Sequence, residues 1–64
     1  MTKTQYASLL RHKIRKWLSE GRYSVIDLAR AALRRDEDRG YGLGEETVAL
    51  IVDEEVTDFT NKLH

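Results

Sequence analysis

The chain has no cysteine and no proline. Without thiols it can build neither a disulfide framework nor a thiolate zinc site, and core packing must supply the stability that such staples would give. Without proline, no helical pattern in it is interrupted by a missing amide donor. The two histidines, His12 and His64, have no sequence neighbour that would complete a metal pair or a catalytic dyad. Long apolar runs are missing too: none exceeds five residues, so neither a membrane span nor a secretory signal is expected, and a reducing cytoplasm is the expected setting. What remains is 64 residues, one domain near the lower limit at which a core folds without staples or a second copy. At 34% charged and 41% hydrophobic, with a Trp, three Tyr and a Phe, the chain is too apolar to be disordered.

Charge is divided along the sequence. Residues 1–35 carry nine Lys/Arg against Glu20 and Asp27, a net of +7, while residues 36–64 carry nine acids against Arg39 and Lys62, a net of −7. The formal total of zero therefore hides two opposed fields. A basic block seeks phosphate or acidic partners, and an acidic block seeks basic ones or the basic block itself.

Apolar spacing predicts three helices and no strand. At about 100° per residue, Tyr6, Ala7, Leu9, Leu10, Ile14, Trp17 and Leu18 fall within one half-turn, opposite Arg11, His12, Arg15 and Lys16. This first helix is expected over about 4–20, ending at Gly21. Ser24 suits the N-cap of a second helix over about 25–35, with Val25, Ile26, Leu28, Ala29, Ala32 and Leu33 sharing a face and Arg30 and Arg34 pointing away. Residues 36–44 hold three of the four glycines and read as the loop of the molecule. A third helix over about 45–62 buries Val48, Ile51, Val52, Val56, Phe59 and Leu63, and leaves Leu50 on the wrong side. The expected fold is a compact all-α three-helix bundle in a single domain, residues 1–64.

The patterns that carry chemistry are incomplete. Asp36 and Asp38 match the first two ligand spacings of an EF-hand, but the obligatory glycine is Tyr41 and the bidentate glutamate is Thr47. Glu55 and Asp58 stand one helical turn apart, as in half of a helical magnesium site, and the preceding helices offer only Glu20 and Asp27 for the other half. Ser8, Ser19 and Ser24 lack a nucleophile-elbow context, and the glycine-rich loop lacks the lysine and preceding strand of a phosphate-binding loop. The expectation is no enzyme, no cofactor and no metal.

Taken together, Ile14 to Gly21, Tyr23 to Leu33 and Leu43 to Val48 resemble the trihelical core of helix-turn-helix regulators. There a first helix ends at a glycine, a second carries an apolar-Ala pattern like Leu28-Ala29, and a third opens with a polar cap followed by Thr-Val. The resemblance implies DNA binding and transcription regulation. Two features depart from the family: the turn between the second and third helices is much longer, and the reading helix would present Glu45, Glu46, Thr47, Ala49, Leu50 and Asp53.

The first functional expectation is therefore a small regulatory module that contacts duplex DNA through Arg11, Arg15, Lys16, Arg30, Arg34 and Arg35, mainly at the phosphates. The alternative is a protein-binding inhibitor, antitoxin-like or adaptor module, of a size and style that suit a phage or mobile element. It would present Glu46, Leu50, Asp53 and Glu54 to a basic protein surface. A homodimer with Trp17 and Phe59 near its interface is compatible with both. The arginines have a plainer use as well, pairing with the acidic helix within a chain or across a dimer.

Overall fold

The computed structural model describes residues 2–22, 24–39 and 42–63. The chain is an all-α three-helix bundle, with α1 at Lys3–Ser19, α2 at Val25–Arg39 and α3 at Glu45–Lys62.

Helix α1 begins with a reciprocal cap: the Thr2 hydroxyl accepts the Gln5 amide, and the Gln5 side chain accepts the Thr2 amide in return. Two of the four orphan donors of the first turn are thereby used. It ends as the sequence predicts, at Gly21, whose φ of +91° is open to glycine at little cost. The Gly21 amide donates to Leu18 O and the Arg22 amide to Trp17 O, the paired bonds that close a helix on a left-handed residue. Helix α2 starts after Ser24, whose hydroxyl accepts the Asp27 amide at 3.4 Å. Helix α3 keeps the bounds expected of it, with Glu45 and Glu46 at the positive end of its dipole.

The end of α2 differs from the expected one. Asp36, Glu37, Asp38 and Arg39 continue the helix instead of belonging to the loop, because none of them breaks a helix and the glycines begin only at Gly40. Asp36 lies two turns after Leu28 and one after Ala32 on the inward stripe, and it is only 3% exposed. Its carboxylate accepts the Leu43 amide (3.0 Å) and the Gly44 amide (3.3 Å), tying the last turn of α2 to the residues that lead into α3. Replacing Asp36 by Ala strands two partly buried donors. The expected cost is about 1–2 kcal/mol, or roughly 5–10 °C in melting temperature for a domain this small, measured by thermal circular dichroism; an unchanged melting point would show that the clamp contributes nothing.

The core is built from Leu10, Ile14, Trp17 and Leu18 of α1, Leu28 and Ala32 of α2, and Val48, Ile51 and Val52 of α3. Helix α3 packs against both of the others. Four apolar residues expected inside lie outside: Leu9, Val25, Ile26 and Leu63 are all largely exposed. Val25 and Leu63 stand at helix ends, and for Leu9 and Ile26 the reason is angular. Leu9 and Ile14 are about 140° apart around the axis of α1, and Ile26 and Leu28 about 160° apart around α2, so two neighbouring helices cannot cover both members of either pair. Trp17 belongs to the core of its own chain, with Lys13 Nζ 5.7 Å and Arg22 Cζ 5.2 Å from its ring centroid. Phe59 packs half-buried against the same core. Among the described residues, no helix is long and apolar enough to cross a membrane.

Candidate functional site

The basic and acidic candidates meet in space. Arg11 and Arg15, one turn apart on α1, reach across to Glu54 and Glu55 on α3. Arg15 donates from Nε to Glu55 Oε2 (2.8 Å) and from Nη2 to Glu55 Oε1 (3.1 Å), a two-pronged grip. Arg11 donates from Nη1 to the same Oε1 (3.2 Å) and pairs through Nη2 with Glu54 Oε2 at 3.0 Å. Glu55 itself is 4% exposed, while the two arginines keep much of their surface in water.

The protonation energetics follow from that geometry. Burial pushes the Glu55 carboxyl up, but the hydrogen bonds and charges of Arg15 and Arg11 outweigh it and hold the pKa below the ordinary 4.5. For Arg11, partial burial works against the charged form, and the bonds it donates to Glu54 and Glu55, with their charges, overcome it, so its pKa is raised. Arg15 is raised by its bonds to Glu55 and by that carboxylate's charge. All three groups are therefore held in their charged states.

Two of the six candidate phosphate contacts are thus engaged inside the chain. Lys16, Arg30 and Arg34 are exposed, Arg35 is half-exposed, and none of these four enters an ion pair with a described residue. Arg30 stands beside a groove between α2 and α3. On the acidic side, Leu50 is 57% exposed, as helical geometry predicts, and Glu46 and Asp53 are exposed around it without an ion-pair partner among the described residues. Glu54 is shared with Arg11.

The remaining candidates have structural partners. Asp58, the helical neighbour of Glu55, pairs with Lys62 at 3.0 Å, so both carboxylates of the half-site weighed for magnesium bind cationic side chains. Asp36, the first position of the calcium-like spacing, serves as the clamp on Leu43 and Gly44. Tyr41, in the same spacing, lies outside the described residues, as do Tyr23, Gly40 and His64. His12 is exposed on α1. Among the described residues no group of three or more His, Cys, Asp or Glu side chains is placed to hold a metal ion.

Glu55 was the residue missed by sequence reasoning. Its signal was present: it falls on the buried stripe with Val48, Ile51 and Val52, and a carboxylate at such a position needs cations within reach. Comparison with protein-family models, curated proteins and solved structures finds no match to this chain.

Proposed function

We propose that this chain is a non-enzymatic regulatory module that binds a basic protein surface through the outer face of α3, with Leu50 as the apolar anchor and Glu46 and Asp53 as its acidic rim, Glu54 being already paired with Arg11. The observation that carries this reading is the disposition of charge. Arg11 and Arg15 spend their charge on Glu54 and Glu55, whereas Glu46 and Asp53 stay open to solvent around an exposed leucine. An apolar side chain ringed by like charges is the arrangement that a partner of opposite sign can desolvate with gain. Glu55, the one buried glutamate among the described residues, has both oxygens held by guanidinium groups.

The test uses wild-type chain and Leu50→Asp as baits against a lysate of the source cell, followed by titration of any protein retained. Leu50→Asp should weaken binding by about thirtyfold or more while shifting stability by no more than about 0.5 kcal/mol. Equal retention by both baits would remove Leu50 from the interface.

One observation favours the second reading, DNA: Lys16, Arg30, Arg34 and Arg35 remain without acidic partners among the described residues. Anisotropy titration of a labelled duplex at two salt concentrations separates the two. Salt-sensitive binding that is lost on joint Arg30→Ala and Arg34→Ala replacement would overturn the protein-binding reading in favour of phosphate contact.

A further inference from the structure

Helices α2 and α3 enclose an open groove of about 230 Å³ on a face away from α3's outer residues Leu50 and Glu54. Its floor is apolar, with Leu33 and Val48 among the lining. Its two walls carry opposite charge: Arg30 on α2 and Glu45 on α3. They also differ in size, since the α2 wall raises Ile26, 66% exposed, while the α3 wall offers the small, exposed side chain of Ala49.

These two asymmetries together identify an occupant. A two-fold axis lying in the plane of this face and parallel to the groove carries α2 of one copy onto α3 of the other. That operation turns the wall bearing Arg30 and Ile26 in each chain toward the wall bearing Glu45 and Ala49 in its mate. A wall that is positive and bulky is complemented by one that is negative and small, and the molecule supplies both. We propose that a second copy of this chain docks on the α2–α3 face with this isologous pairing. Covering Ile26 would add apolar area to a small core that has no cysteine to staple it. This surface adjoins the one proposed for a protein partner, since Glu46 and Asp53 lie within one turn of Ala49 on α3, but it rests on the groove and not on Leu50.

The test is sedimentation equilibrium from micromolar to millimolar chain, with circular dichroism confirming that each variant is folded. Wild type should show a monomer–dimer equilibrium. Ile26→Asp, at a site exposed in the single chain, should give monomer at every concentration. Arg30→Glu and Glu45→Arg should each weaken dimerisation about tenfold or more by placing like charges together, and the double variant should recover most of the loss. Leu50→Asp should leave the mass unchanged. A monomeric wild type at millimolar concentration overturns the proposal, as does a dimer indifferent to Ile26→Asp or a double variant no better than the singles.

Discussion

Replacing Arg11 and Arg15 together by alanine is expected to lower the melting temperature at neutral pH by on the order of 10 °C or more. The loss does not come from two surface ion pairs, which are worth little when exposed. It comes from Glu55, left 4% exposed with no cation against it. That carboxyl escapes by taking up a proton, at a cost of about 1.36 kcal/mol for each pH unit above its ordinary 4.5. About 3.4 kcal/mol is therefore the ceiling on this penalty at pH 7. Adding Glu55→Leu to the double variant should recover most of the loss, because an apolar side chain of similar reach needs no partner. If it does not, packing by the arginine stems rather than charge is what the double variant removed.

The same pair of proteins should respond to acid in opposite ways. In the wild type the folded-state pKa of Glu55 lies below 4.5, so its stabilising contribution is complete above that value. It is lost as pH falls through the folded pKa. In the variant, burial without arginine raises the pKa, and the penalty present at neutral pH disappears as the carboxyl protonates. Melting curves of the two should converge on acidification; a gap that stays constant from pH 7 to pH 3 would show that Glu55 is not the cause.

The second large effect is expected in the core of α2. Leu28 is fully buried, and Leu28→Ala should cost about 3–5 kcal/mol through lost burial and the cavity left behind. A domain of this length has a total stability of only roughly 3–10 kcal/mol, so a substantial unfolded fraction at room temperature is the expected result, seen as lost helical dichroism. Ile26→Ala, two positions away, should change monomer stability by no more than about 0.5 kcal/mol. Comparable losses at both sites would mean that Ile26 faces the core after all.

That contrast shows where sequence reasoning succeeds and where it stops. The stripe Leu10, Ile14, Trp17, Leu18 and the stripe Val48, Ile51, Val52 are legible because a 3.6-residue period survives any choice of neighbour. The glycine stop at Gly21 is legible because only its backbone takes that angle cheaply. Ile26 and Leu9 are misplaced by the same reasoning, since the width of an apolar arc is in the sequence but the width that neighbours cover is not. Asp36 and Glu55 sat on inward stripes in plain view, yet an acid is ordinarily assigned to water unless its partner is known. For Asp36 the partner is backbone seven and eight residues on. For Glu55 it is a pair of side chains near the other end of the chain. The opposed charge blocks showed that pairing was available; only the packing of α1 on α3 shows that Arg11 and Arg15 use it within one chain.

The Glu55 link has a consequence for the chain before it folds. It joins positions 40 and 44 residues apart, and each lies in a block whose net charge is opposite to the other's. In the denatured ensemble those blocks attract one another over distances comparable with the screening length, about 8 Å at physiological ionic strength. The unfolded chain is accordingly expected to be more contracted than a coil of evenly mixed charge. Salt loosens the unfolded chain, so the entropy lost in joining α1 to α3 depends on the ionic medium even though Glu55 itself is buried in the mature contact.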